Sequence, residues 1–138
     1  LRTRGLGDVN QRQPLRSDFQ HQRLECMCQR LNIHSFSPLW HQTPIEHLTG
    51  MVEAGFEIML TSVSCEGLDH SWLGHVLTKS SLKHLHELSN KHRFNVDGEG
   101  GEYETYVLGG PIWSRSMEVE GEEHHTASRG VYIIHSVV

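Results

Sequence analysis

The stretch TPIEHLTGMVEAGFEIMLTSVS, residues 43–64, constrains the fold more than any other part of the chain. It opens with three helix-start signals: Thr43 as N-cap, Pro44 at the first helical position and Glu46 closing a capping box. Gly55 ends this helix, and the apolar run FEIMLTSVS that follows predicts a largely buried strand. A helix that leads straight into a buried strand indicates an α/β fold.

The same periodicities predict the remaining elements. Apolar residues at helical spacing predict a first helix over residues 17–32 and a third over residues 80–92. Ser17 or Asp18 can cap the first helix, and Asn32 can end it in the left-handed conformation. Short strands are predicted over residues 33–40, 104–108, 116–123 and 129–138. We therefore predict an α/β fold of three helices packed on a mixed sheet that is antiparallel at its C-terminal end.

Composition limits the class of protein. The 138 residues are 36% hydrophobic and 21% charged, which is typical of a globular chain long enough for one core. A formal charge of -5 argues against a nucleic-acid-binding surface, which needs a basic stripe. No apolar run reaches the length of a membrane span, and residues 1–16 lack the apolar core of a secretory signal. The number of cysteines is three, which is odd, so we expect reduced thiols in a cytoplasmic protein. From the charge and the apolar runs together, we expect that the protein binds neither membranes nor nucleic acid directly.

Histidines are abundant, at twelve in 138 residues. Their spacing does not follow the paired Cys and His pattern of structural zinc sites. We therefore interpret most of them as polar surface residues, and the sequence leaves the presence of a metal unknown.

An acidic, glycine-rich loop lies between the third predicted helix and the strand after it. In FNVDGEGGEYETYVLGG, residues 94–110, Asp97, Glu99, Glu102 and Glu104 fall within eight positions. These carboxylates would repel a phosphate, and the loop contains no Lys, which excludes a phosphate-binding loop. Calcium loops of the EF-hand type are excluded as well, because the twelfth position from Asp97 is a Leu rather than a Glu.

Two interpretations of the loop remain open on its residues alone. One is a solvated turn in which the glycines provide unusual backbone angles. The other is a site for a cation, either Mg²⁺ or an organic ammonium group. Tyr103, Tyr106 and Trp113 are close enough in sequence to offer aromatic faces, each of which attracts a cation by about 0.5–2 kcal/mol.

Several segments of the chain resemble one family in the same order. GEGGEYETYVLGGPIW is similar to the GE-x-GEY-x-T hallmark and the following proline turn of the diphthine–ammonia ligase (diphthamide synthetase) family, in the PP-loop ATP pyrophosphatase superfamily. The matching residues there are Gly98, Glu99, Gly101, Glu102, Tyr103, Thr105, Gly110 and Pro111. Two upstream stretches also resemble the family, through Ser17, Asp18, Gln20, Arg23, Cys28, Leu31, Pro38, Leu39 and Trp40, and through Gly67, Leu68, Asp69, Leu73 and Gly74.

The resemblance implies a reaction. ATP, with Mg²⁺, would activate the carboxylate of diphthine, a modified histidine of translation elongation factor 2, as an acyl-adenylate. Ammonium would supply the ammonia that displaces AMP and gives diphthamide. Diphthine carries a trimethylammonium group, and we infer that the acidic loop holds this cation; equally, its acids would hold Mg²⁺ or orient ammonium. The partners expected are therefore the elongation factor and ammonium, and we also allow for a homodimer.

Roles for single residues follow from the resemblance alone. It implies that the loop acids act in catalysis and that their neighbours bind substrate. The catalytic set is Glu99, Glu102 and Glu104, and the substrate-binding set is Gly98, Gly100, Gly101, Tyr103 and Thr105. Ser17, Asp18, Gln20 and Arg23 are expected to face the nucleotide, with a capped surface helix as the alternative.

One departure from the family concerns its nucleotide-binding SGGKDS loop, which this sequence does not contain. We therefore expect the chain to be the C-terminal part of a longer enzyme and to be inactive alone. Residues 1–40 would be a remnant of the nucleotide-binding α/β domain, with 1–16 loop-like, and residues 41–138 the substrate-recognition domain. The alternative is a binding module without catalysis, which works with a separate nucleotide-binding chain or is a decayed remnant.

Overall fold

The computed structural model describes residues 17–126 and 129–138, so the loop predicted over residues 1–16 lies outside the described residues. The described part of the chain divides into two compact units, with the boundary between Thr43 and Pro44. The helices are α1 (Asp18–Leu31), α2 (Pro44–Glu53) and α3 (Lys79–His92), with a 3-10 turn at His70–Trp72. The strands are β1 (Glu57–Val63), β2 (Tyr103–Gly109), β3 (Val119–His125) and β4 (Gly130–Val137).

Helix α1 begins and ends as its caps predict. The Ser17 side chain accepts a hydrogen bond from the backbone N–H of Gln20, and Asn32 adopts the left-handed conformation at φ 52°. The strand predicted over residues 33–40 is wrong, because these residues form irregular chain and a turn. The apolar side chains of Ile33 and Phe36 are 54% and 85% exposed. These side chains therefore do not pack against a sheet. A strand needs such packing, because its stability comes from contacts with neighbouring strands.

The second unit contains a four-stranded sheet in the order β2-β1-β4-β3. Both neighbours of β1 run antiparallel to it, and β3 and β4 form an antiparallel hairpin. The α/β class and the three helices are confirmed, and the sheet described here is antiparallel at every pairing rather than mixed.

Antiparallel pairing of β1 and β2 follows from the path of the chain between them. A helix between two strands suggests a crossover that leaves them parallel. Here residues 74–77 first run back along β1, where Leu60 donates to the carbonyl of His75 at 3.0 Å and Leu77 donates to that of Ile58 at 2.8 Å. The chain has thus returned to the start of β1 before α3 begins, so β2 runs opposite to β1.

The core lies between the sheet and helices α2 and α3. Leu60 of β1 and Leu85 of α3 are 0% exposed, and Leu48 of α2 packs in the same cluster. Thr78 and Ser81 form the capping box that starts α3, each side chain accepting from the other's backbone N–H. Within the described ranges, no helix is both long and apolar enough to cross a membrane.

Candidate functional site

Glu102, at the end of the acidic loop, binds back onto the start of that loop. Its Oε1 accepts hydrogen bonds from the backbone N–H of Asn95 at 2.9 Å and from the Asn95 side-chain amide at 2.8 Å. Burial of the carboxyl group raises its pKa, but the hydrogen bonds from Asn95 and from the backbone of Glu102 and Gly100 outweigh burial. The pKa of Glu102 is therefore lowered, and the carboxylate closes the loop as an anion.

The glycines of the loop have a geometric role. Gly98 and Gly101 both have positive φ, at 71° and 84°, which favours glycine. Gly98 also lies against Tyr103, whose ring and carbonyl oxygen would be 3.1 Å from any added Cβ. The Tyr103 hydroxyl donates to the carbonyl of Val96 at 2.6 Å. The loop is thus a tight turn closed by its own polar groups.

Tyr103 is part of the core. Its side chain is 4% exposed, and burial, followed by the charges of Asp97 and Glu102, raises its pKa. The phenol therefore stays protonated and continues to donate its hydrogen bond.

The three acids expected to act in catalysis do not converge on one point. Glu102 binds Asn95, whereas Glu104, one position into β2, pairs with Nη2 of Arg129 at 3.2 Å. Glu99 is exposed, and its backbone N–H contacts Asp97 Oδ1 at 3.5 Å.

The other residues expected at the site lie in two places. Gly98, Gly100 and Gly101 form the turn, Thr105 is exposed in β2, and Tyr103 lies beneath them. Ser17, Asp18, Gln20 and Arg23 are at the N-terminal end of α1, in the other compact unit. Their functional roles stay predictions.

A pocket of about 580 Å³ lies beside this loop, where β1 ends. It is lined by residues that follow β1 and by those at the turn between β3 and β4. Ser64 connects the loop to the pocket: its N–H donates to the carbonyl of Glu102 at 2.8 Å, and its hydroxyl donates to that of Gly101 at 2.6 Å. The acidic loop therefore supports one wall of the pocket without contributing its own carboxylates to the lining.

Arg129 is the fixed cation of the pocket. Its Nε donates to the hydroxyl of Ser62 at 3.1 Å, and its Nη2 donates to Glu104 at 3.2 Å. Ser62 is 2% exposed, so the inner end of the guanidinium is held by a buried group. The Arg129 side chain as a whole is 51% exposed, and it lines the pocket.

Acidic and aromatic groups complete the lining. Asp69 Oδ1 accepts from the backbone N–H of Ser71 at 2.9 Å and from its hydroxyl at 2.5 Å, and these hydrogen bonds lower the pKa of Asp69. The rings of His70 and His125 are arranged edge to face, with their centroids 5.6 Å apart. Cys65 is half-buried, and burial, followed by the charge of Glu102, raises the pKa of its thiol.

The loop acids do not fit a magnesium site in this arrangement. Across residues 17–126 and 129–138, no three His, Cys, Asp or Glu side chains are placed to hold a metal ion. Glu102 and Glu104 are each hydrogen-bonded to a separate protein group, whereas Mg²⁺ needs oxygen ligands around one point.

Sequence reasoning missed most of the pocket. Some lining residues fell inside predicted strands (Val63, Ser64, Arg129 and Gly130) and others inside a stretch that resembles the family (Leu68 and Asp69), but none was assigned a role. Arg129 is the first residue of the strand predicted over residues 129–138, and it directly precedes β4 in the structure, so nothing local marks it as functional.

The fold and the site together define a small α/β domain with an antiparallel sheet and a polar pocket supported by a glycine-rich acidic loop. A sequence profile described as "Diphthamide synthase C-terminal domain" matches residues 43–138. The chain belongs to this family, which confirms the resemblance seen in its motifs.

Three curated relatives carry the name diphthine–ammonia ligase. The zebrafish protein (Danio rerio) is 35% identical over 108 residues, which is 78% of this chain and 42% of the relative. The human protein is 36% identical over 108 residues, 78% of this chain and 40% of the relative. The fission yeast protein (Schizosaccharomyces pombe) is 34% identical over 119 residues, 85% of this chain and 20% of the relative. The chain thus spans about two fifths or less of these relatives.

Proposed function

We propose that the chain is the C-terminal, substrate-recognition part of an ATP-dependent diphthine–ammonia ligase that works in the cytoplasm. The observation that carries this proposal is that the family's hallmark loop supports the wall of a polar pocket through Ser64. A pocket of about 580 Å³ falls within the roughly 300–1,000 Å³ of small-molecule sites. A pocket in this range has room for one modified side chain of a partner protein.

The proposed reaction joins ammonia to the carboxylate of diphthine on translation elongation factor 2. ATP supplies the activation, as an acyl-adenylate of that carboxylate, and AMP and pyrophosphate leave. Segments outside this chain bind ATP and Mg²⁺, and α1, with Ser17, Asp18, Gln20 and Arg23 at its start, faces them. The task of residues 44–138 is to hold the modified histidine and keep its carboxylate in place.

The loop acids have different tasks in this proposal. Glu102 positions the turn through Asn95, because its Oε1 accepts both hydrogen bonds that Asn95 donates. Glu104 positions Arg129. Glu99 is the exposed acid of the turn, and it meets the elongation factor or ammonium.

Binding to the elongation factor tests the recognition part of the proposal. Immobilised chain should retain elongation factor 2 that bears diphthine more strongly than the unmodified factor. Glu102→Ala should reduce this preference, and Glu118→Ala, which removes an exposed acid elsewhere, should leave it unchanged. Equal retention of the modified and unmodified factors would contradict the proposed substrate.

A chimera tests catalysis. This chain replaces the matching region of the zebrafish ligase, and AMP release is measured with ATP, ammonium and the diphthine-bearing factor. AMP release that depends on all three supports the ligase. A folded chimera that binds the factor but releases no AMP would instead favour a binding module without catalysis.

A further inference from the structure

Arg129 lines the pocket, and one edge of its guanidinium group has no hydrogen-bond partner among the described residues. Its Nε and Nη2 donate to Ser62 and Glu104, and within the described part of the chain no hydrogen bond reaches Nη1. The edge formed by Nη1 and Nη2 matches the two oxygens of a carboxylate. Because two protein groups already hold the guanidinium, little side-chain entropy is lost when a ligand binds.

The lining segment that follows β1 carries negative charge, opposite to that of Arg129. Glu66 and Asp69 both line the pocket in the stretch that follows β1. Asp69 uses Oδ1 to accept from Ser71, and its lowered pKa keeps it anionic near neutral pH. A pocket with an arginine on one lining segment and two acids on the other suits a ligand that carries both charges.

We propose that this pocket binds the zwitterionic end of the substrate, with Arg129 holding the carboxylate and the Glu66–Asp69 segment facing the quaternary ammonium group. This inference rests on the proposed function and assigns the substrate group to a site that differs from the loop acids. It makes Arg129 a specificity residue, because the reaction converts an anionic carboxylate into a neutral carboxamide. Arg129 therefore favours substrate over product.

The test compares two forms of one ligand. Affinities of the chain are measured by calorimetry for elongation factor 2 bearing diphthine and for the same factor bearing diphthamide. Loss of a charge-assisted hydrogen bond costs about 1.5–3 kcal/mol, so we expect roughly a tenfold or greater preference for the carboxylate form. Arg129→Gln should reduce that preference to about twofold or less, and Arg129→Lys should retain part of it.

Arg115→Gln is the matched control, because it removes one exposed arginine in the loop after β2. It should leave the preference for the carboxylate form intact. A preference that survives Arg129→Gln unchanged, in a variant that melts like the wild type, would overturn the assignment while leaving the proposed function standing.

A small probe separates the two proposals. Trimethylglycine carries a carboxylate and a quaternary ammonium group, and choline has the ammonium group alone. In heteronuclear NMR, trimethylglycine should shift the amide signals of Ser64 and Gly130 more than choline does, and Arg129→Gln should abolish the difference. If this holds while the diphthine-bearing factor does not bind, the pocket assignment stands and the proposed function fails. Equal shifts with both probes would contradict the pocket assignment.

Discussion

Glu102 and Asn95 are seven positions apart, and the carboxylate of the first accepts both the backbone N–H and the side-chain amide of the second. This pair closes the acidic turn at its base. The turn then reaches Ser64 through the carbonyls of Gly101 and Glu102. Glu102, an acid of the family's motif, thus stabilises the turn through Asn95. It affects ligand binding indirectly, because the turn positions Ser64 in the wall of the pocket.

Removal of this carboxylate should destabilise the domain. Glu102→Ala leaves two donors of Asn95 without their acceptor, and we expect a loss of about 1–2 kcal/mol in the free energy of unfolding. Urea titration should show a lower midpoint with an unchanged slope. Glu118→Ala, at an exposed acid, should change the midpoint little. Equal midpoints for the two variants would show that the pair does not hold the turn.

Lowering the pH should remove the contribution that the Glu102 carboxylate makes to stability. The pKa of Glu102 is lowered in the folded state, so its contribution is fully present above the unfolded value of about 4.3 and is lost as the pH falls through the folded pKa. Between neutral pH and pH values below about 4.3, the wild type should therefore lose more stability than Glu102→Gln, as measured by thermal melting. Parallel melting curves for the two proteins would contradict this linkage.

Tyr103→Phe should cost stability through one buried hydroxyl. Its hydrogen bond to the carbonyl of Val96 is 2.6 Å long, and its loss leaves a buried acceptor unsatisfied. We expect about 1–1.5 kcal/mol of destabilisation by urea titration. Tyr106→Phe, on the same strand but half-buried, is the control and should have a smaller effect. A larger effect at Tyr106 would show that the hydroxyl of Tyr103 is not the important group.

Helix α3 depends on its capping box. Thr78→Ala removes the oxygen that accepts from the backbone N–H of Ser81 at 3.1 Å, and we expect a loss of about 1 kcal/mol. Thr78→Ser keeps the hydroxyl and should preserve most of the stability. Thermal melting of both variants measures the difference, and an equal loss in the two would show that the cap contributes little.

Cys65 should alkylate more slowly than the exposed Cys26. Burial and the charge of Glu102 raise the pKa of the Cys65 thiol, and only the thiolate reacts. Peptide-resolved mass spectrometry with iodoacetamide at several pH values measures both rates in one protein. In Glu102→Gln the midpoint for Cys65 should move down but stay above the ordinary value, since burial remains. A midpoint unaffected by Glu102→Gln would show that the carboxylate does not influence the thiol.

Local signals predicted the helices well. Pro44 begins α2 as expected, and Asn32, in the left-handed conformation, ends α1. Both boundaries were predictable because the conformational preference of a single residue decides each of them. The predicted strand over residues 33–40 failed because alternation alone cannot provide a neighbouring strand. The antiparallel pairing of β1 and β2 depended on residues 74–77 returning along β1, which no local pattern showed.

The candidate site was predictable only as far as it is contiguous in sequence. The turn from Gly98 to Glu102 is one segment, and its glycines and acids identified it. The pocket joins residues about 60 positions apart, such as Asp69 and Arg129, through strand pairing. Only the fold brings them together, so their combination has no signature in the sequence.

The position of β4 has a consequence for how the domain is made. In the order β2-β1-β4-β3, the last strand in the chain lies between β1 and β3, and Ser62 pairs with Val131 across that junction. The four-stranded sheet therefore cannot be completed until residues 130–137 have been synthesised, and loop closure over such long separations is slow. On the ribosome, the pocket becomes complete only after Arg129 and Gly130, which line it, have left the exit tunnel.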